Sequence, residues 1–489
     1  MRQRKYLGNL PWAFAAALLF IAGCSHAIFP QNGGGNGGNT VPMILAFHDT
    51  PPSGITLTSF QVTVTGAVLQ PGNVSLLSAP GQTIELTQLQ ANSAILSTTQ
   101  VALSSYTSLT ITYANPKYTF LNDSGITETV NGQACAAGAS CVVTPTISGA
   151  STITLPSTAP FPVVTTTGQT TLLQVDVNLN NIIQSDFSVN FANSGAATVV
   201  QGSTAGSALG NLAVNGVITS VGTNQFNLAA STGQSLTVAV GTSTAYEFQR
   251  ANCTANDFTC LATGQIVDVD LNVLTGGTFQ ASEVDFDDAT NTQQVSGTIV
   301  SFNATPPTSF QMVMHNTVPP ISGFSVGTPV TVTLGNAVTF VINNGSLPLP
   351  AGVTFASNSD LLVGQEVEAR VSGTFTAGPP PSFTTDRIAL EPTQLNAAVS
   401  SISSQAQPLP LFVLKPLPPM FSQAPINSVT QIQVLISPTT QFEGPSLTSL
   451  SSLQVGNVVS VGGFLFNTTS TTGSPSIVAN AVIAPVPGT

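Results

Sequence analysis

The chain has 489 residues, too many for one hydrophobic core and suited to about three or four domains of roughly 100 to 200 residues. Only 6% of them are charged while 42% are hydrophobic, so Ser, Thr, Asn and Gln must supply most of the polar surface. Three of the eight basic residues are Arg2, Arg4 and Lys5, which leaves 20 acidic against 8 − 3 = 5 basic residues after position 23, a formal charge of −15 that repels a phosphate backbone and argues against nucleic acid as a partner.

Arg2, Arg4 and Lys5 form a basic n-region ahead of the apolar stretch Pro11 to Ala22, which is too short to span a bilayer and has the length of a secretory h-region. Residues 1–23 therefore read as an export signal. The run Ile21-Ala22-Gly23-Cys24 resembles the lipobox of bacterial lipoproteins. That resemblance implies cleavage before Cys24, its acylation, and a lipid anchor as the attachment to the membrane. Ser25, standing where an Asp would retain a lipoprotein in the inner membrane, implies an outer membrane lipoprotein facing the periplasm or the cell surface. Residues 24–40 read as a tether, because the Gly/Asn run Gln31 to Thr40 has no side chains able to bury surface.

Beyond residue 40 the pattern alternates with period two. In Phe60-Gln61-Val62-Thr63-Val64-Thr65 the apolar side chains fall on one face, and Leu109 to Tyr113, Leu173 to Leu179 and Leu236 to Val240 repeat the pattern. The predicted class is all-β: an N-terminal antiparallel β-sandwich over 41–195, followed by three small OB-like β-barrel repeats over 205–290, 291–393 and 394–489. The order Met43 to Phe47, Asp49-Thr50-Pro51-Pro52, Phe60 to Leu69, Ile84-Glu85-Leu86, Leu103 to Tyr113 and Leu172 to Leu179 resembles domain of unknown function 4382, a family of envelope lipoproteins. The resemblance implies a sandwich and brings no catalytic residues; Ser104 and Ser105 replace the family's Gly before Tyr106.

The barrels are predicted from an internal repeat. Val214 to Ser220 aligns with Val295 to Ser301 and with Leu395 to Ser401. A second element follows at Leu261 to Val267, Leu362 to Val367 and Leu453 to Val459, and closing strands at Ala281 to Phe286, Thr385 to Leu390 and Ala479 to Ile483. With Phe226, Phe310 and Phe412 in the second strand, each unit resembles domain of unknown function 5666, although Ala397 stands where the first two units have Gly216 and Gly297. The short polar joints Asp288 to Gln294 and Glu391 to Gln394 predict separately folded barrels.

Four cysteines remain besides Cys24, in two local pairs, Cys135 with Cys141 and Cys253 with Cys260. In an exported chain these read as loop disulfides; zinc needs closer spacing or a His, and free thiols are the other alternative. The acidic run Glu283, Asp285, Asp287 and Asp288 offers oxygens to calcium or, alternatively, is a solvated strand end. Asp268 and Asp270 share a strand face but are replaced by Glu368 and Arg370 in the second unit, which reads as a tolerant solvent face. Of the three histidines, His26 lies in the tether, His48 abuts Asp49 on the opposite strand face, and His315 is in a repeat, so no triad is in view. No cofactor is expected.

These readings converge on a lipid-anchored, exported envelope protein with a non-catalytic binding, adhesion or structural role, whose partner is a surface protein or a polysaccharide. The alternative is a glycan-directed hydrolase or its accessory carbohydrate-binding subunit. Against that alternative, the single Trp12 lies in the signal peptide and only 5 Tyr are present to stack on sugars.

Overall fold

The computed structural model describes residues 40–52, 55–77, 80–155, 160–202, 211–230, 234–248, 253–274, 277–286, 293–318, 321, 324–342, 344, 347–378, 380–405, 409–423, 429–444, 446–467 and 474–484. Cys24, His26, Asp287 and Asp288 lie outside these residues.

The sandwich is built from β1 (Thr40–Thr50), β2 (Thr56–Gln70), β3 (Asn92–Ala102), β4 (Ser108–Leu121), β5 (Thr171–Asn178) and β6 (Ala197–Gly202). One sheet has the order β6-β5-β1-β3; β2 and β4 pair along most of their length at the centre of the other. The pairing is antiparallel except between β1 and β5, which run parallel from Met43↔Thr171 to Thr50↔Asn178. The period-two pattern sets which side chains go inside: Phe60, Val62 and Val64 of β2 are fully buried against Met43, Leu45 and Phe47 of β1, while Gln61 and Thr63 point away. Burying each such side chain contributes about 1.5–3 kcal/mol.

Three five-stranded barrels follow. The first comprises β7 (Asn211–Val221), β8 (Gln225–Ala230), β9 (Ser235–Glu247), β10 (Ile266–Val273) and β11 (Phe279–Phe286). The second comprises β12 (Gln294–Phe302), β13 (Ser309–Val318), β14 (Pro329–Ile342), β15 (Glu366–Thr376) and β16 (Ser382–Glu391). The third comprises β17 (Thr393–Ser403), β18 (Leu411–Leu414), β19 (Ile432–Glu443), β20 (Val458–Phe466) and β21 (Ser476–Ile483). Each ring closes in the same way: the first strand pairs with the second and the fourth, and the third runs parallel to the fifth. Closure removes the free edges that an open five-stranded sheet would expose. Phe226, Phe310 and Phe412 fill equivalent places inside and are at most 1% exposed.

The Leu-x-x-Gly signature marks one local device used three times. A 3₁₀ turn, Phe258–Cys260, Asn358–Asp360 or Leu450–Ser452, is followed by a buried Leu, namely Leu261, Leu361 or Leu453. Gly264, Gly364 or Gly456 then takes φ near +90°, a conformation that a side chain strains. In the second unit the equivalent Leu is Leu361, one residue earlier than the Leu362 at which the sequence alignment begins.

Two features depart from separately folded barrels. β7 also pairs parallel with β3 of the sandwich, Asn211↔Asn92 to Ala213↔Ala94, so the sandwich sheet continues into the first barrel. The other two barrels close their own rings but share interiors. Leu362 and Val363 belong to the core of the third barrel, and Leu435, Phe464, Phe466 and Val478 of the third belong to the core of the second. The joint between them is a single residue, Pro392. A polar, short linker in sequence is compatible with tight packing when the faces it joins are apolar.

Candidate functional site

Where the sandwich meets the second and third barrels, the described residues enclose a cavity of about 340 Å³. Pro51, Ile55 and Gln88 line it from the sandwich, His315 and Glu366 from the second barrel, and Phe421 from the third. Phe421 sits on the short helix Pro419–Gln423 and lies against Gly364, whose missing Cβ leaves room for the ring. The volume is at the lower end of the range for small-molecule sites, and the walls are mostly apolar with a few polar groups.

Those polar groups hold the three modules together. His315 Nδ1 lies 2.9 Å from Glu366 Oε1 and 2.8 Å from the Gln88 amide, and Nε2 lies 2.7 Å from the Thr58 carbonyl oxygen. Thr298 Oγ1 donates to Glu366 Oε2 at 2.7 Å, and the Glu366 N–H donates to Thr393 Oγ1 at 2.9 Å. From the third barrel, the Gln394 amide accepts from the Ala91 N–H at 2.7 Å and donates to the Gln88 carbonyl, completing a strand-like pair of bonds with the sandwich backbone. Nearby, Lys117 Nζ donates to Ser325 Oγ at 2.7 Å and to the Val326 carbonyl at 3.0 Å. Burial pushes the His315 pKa down, but the charge and hydrogen bond of Glu366, the charge of Glu85 and the Thr58 carbonyl outweigh it and raise the pKa to about 9.

The second buried histidine pairs elsewhere. His48 Nδ1 is 3.1 Å from Asp176 Oδ1 across the parallel β1–β5 ladder, and Thr50 Oγ1 donates to the same carboxylate. Asp49 faces the opposite side, as the alternation predicts, and lies within β1. It is fully buried, and neither carboxyl oxygen has a hydrogen-bond partner. Burial, followed by the charges of Asp176 and Glu85, pushes its pKa well above the usual carboxylate range.

Both cysteine pairs are disulfides: Cys135 with Cys141 and Cys253 with Cys260, with Cα atoms 5.9 and 5.7 Å apart. The acidic stretch of the first barrel lies on its outward face, with Asp268 exposed and Asp270, Glu283 and Asp285 half-buried. On the β10–β11 ladder Asp268 stands opposite Asp285 and Asp270 opposite Glu283, so four carboxylates share one face. Burial and then the Glu283 charge raise the Asp270 pKa to about 7. Asp285 is pushed well above its ordinary value by burial and by Glu283, Asp268, Asp270 and Glu391, and its Oδ1 is buried without a hydrogen-bond partner. Among the described residues no three Asp, Glu, His or Cys side chains converge on a metal position. Glu283 and Asp285 of the calcium candidate share a face, while Asp287 and Asp288 lie outside the described residues.

The junction was not legible in the sequence. Its polar members come from widely separated segments, and a His in one repeat and a Gln in another give no local pattern. The carboxylate array was half visible: the i, i+2 spacing put Asp268 with Asp270 and Glu283 with Asp285, but pairing of the two strands was needed to join them.

The family model described as Domain of unknown function (DUF5666) matches residues 215–285 and 428–471, which fall in the first and third barrels. No curated protein matches the chain. Among solved structures, drosophila Unr CSD456 is 11% identical with a TM-score of 0.12, over 56% of this chain and 98% of its own. A multidomain protein with nucleic acid binding domains from Streptococcus pneumoniae TIGR4 is 10% identical with a TM-score of 0.10, over 54% of this chain and 72% of its own. At those scores neither likeness bears on fold or function.

Proposed function

We propose that the chain is a lipid-anchored, exported protein of the bacterial outer membrane whose β modules form a non-catalytic binding or structural scaffold. In this reading Cys24 carries the anchor, residues 24–40 are the tether, and the sandwich is of the domain of unknown function 4382 type. The junction cavity is then the place for a small, mostly apolar ligand or for the side chains of a surface partner. The observation that supports a scaffold over an enzyme is the use made of His315 and Glu366. They are an acid–base pair beside the cavity, yet both ring nitrogens are engaged, Nε2 by the sandwich and Nδ1 by Gln88 and Glu366, and both carboxylate oxygens are taken up within the second barrel by His315 and Thr298. A general base needs a free lone pair within reach of a substrate proton. The high negative charge supports a partner other than nucleic acid.

The test joins location to activity. Fatty-acid labelling should mark the wild type in the outer membrane fraction and not Cys24→Ser, and a screen of ester, peptide and glycoside substrates should stay at background. Label on the variant would sink the anchor, and turnover lost on changing one Asp, Glu or His would sink the scaffold.

A further inference from the structure

A β-bulge prepares one carbonyl for the junction. The β2–β4 register skips between Leu57 and Ser59, which releases Thr58 from the ladder and turns its carbonyl toward the second barrel. His315 Nε2 meets that oxygen at 2.7 Å while Nδ1 meets Glu366 Oε1 at 2.9 Å, and the residue is only 9% exposed. The Thr58 carbonyl can only accept, and so can Glu366 as a carboxylate. A neutral imidazole has one N–H and one lone pair, so either tautomer would set a lone pair against an oxygen at under 3 Å. The imidazolium alone satisfies both. Gln88 then turns its amide oxygen to the shared Nδ1 proton, an orientation equivalent by rotation to the one with nitrogen facing the ring.

We propose that His315 is a protonation-operated clamp: as imidazolium it fastens the second barrel to the sandwich and closes one wall of the junction cavity, and on losing a proton it lets go of Thr58. The direction of release follows from the partners. Glu366 is a charged acceptor on the same barrel and retains the remaining N–H, whereas the neutral carbonyl belongs to the other module. The titratable groups facing the ring are Glu366 on β15 and Glu85 beside β2, and Lys117 of β4 stands near Glu85. Because the pKa is raised above the ordinary 6.5 to about 9, the clamp is complete below about pH 6.5 and is lost as pH rises through about 9.

With only three histidines in the chain, histidine-selective isotope labelling of the full protein gives a resolved titration, assigned by the signal missing in His315→Gln. The expected midpoint is near pH 9, with amide-exchange protection of 56–60 and 313–317, corrected for intrinsic rates, falling over the same range while 109–113 stay protected. Glu366→Gln is the second variant. A neutral amide can donate to a bare Nδ1, so the ring keeps its Nε2–H on Thr58 without charge. Its midpoint should drop to 6.5 or below and the alkaline loss of protection should vanish. A wild-type midpoint near 6.5, protection of 56–60 that persists to pH 10.5, or an alkaline step retained in Glu366→Gln would each overturn the clamp.

Discussion

The first barrel and the two that follow share one pattern of strands but attach to the rest of the molecule by different means. The first is joined mainly through the backbone, with β7 adding to the sandwich sheet beside β3 over three residue pairs and the Gln234 amide reaching the Ile95 carbonyl and Gln82 Oε1 at 3.5 Å. The second and third are joined through side chains: His315, Lys117 and Gln394 on backbone carbonyls and amides, and Phe421 on the Gly364 turn. Backbone pairing is indifferent to side-chain identity, whereas the side-chain junction depends on particular residues. One module type has therefore acquired one generic and one residue-specific form of attachment, and substitutions should separate them.

The largest effect is expected at Phe421, which is 2% exposed and shared between the second and third barrels. Phe421→Ala should cost about 3–5 kcal/mol in chemical denaturation. It should leave the spectroscopic signature of the first barrel's Phe248 and Phe286 cluster in place at low denaturant. Simultaneous loss of that signature would mean that the attachments are not separable.

A smaller effect concerns the repeat's own glycine. Gly216 and Gly297 lie where the second strand runs alongside the first, and a Cβ there would enter the carbonyl oxygen of Ala229 or Val313. In the third barrel β18 is only four residues long and its pairing with β17 begins at Val399, so no second strand lies opposite Ala397. Gly297→Ala should destabilise by about 1–3 kcal/mol, while Ala397→Gly should cost only about 0.5–1 kcal/mol of backbone entropy. Equal costs in a pair of urea titrations would refute the strand-length explanation.

The smallest effect sharpens the picture of the first barrel. With a folded pKa raised to about 7, ionising Asp270 opposes folding: the cost is absent below about pH 4, grows between 4 and 7, and is complete above 7. Asp270→Asn should therefore stabilise at pH 8, by on the order of 1 kcal/mol, and make no difference at pH 4. Thermal melts at the two pH values check the sign, and destabilisation at pH 8 would show that the carboxylate is favourably held.

Much of this architecture was readable residue by residue. Alternation at Phe60 to Thr65 gave the inner face of β2, and the three aligned segments gave three five-stranded units, because both signals are local. Ala397 was visible as an exception but not explicable, since the cause is the length of a strand more than ten residues away. The β3–β7 pairing left no mark because the ladder is made by backbone groups. His315 and Gln394 were equally silent, as each reaches the sandwich across more than 200 residues of sequence.

The sandwich and the second and third barrels should unfold as one body because of their shared junction, and calorimetry of the full chain beside Gln394→Ala tests this most directly. Removing that side chain strands the Ala91 N–H and the Gln88 carbonyl and should cost about 2 kcal/mol. The predicted result is one cooperative transition covering all three modules, which the variant moves to lower temperature as a unit. Separate transitions for the three modules, with Gln394→Ala shifting only the third barrel's, would contradict it.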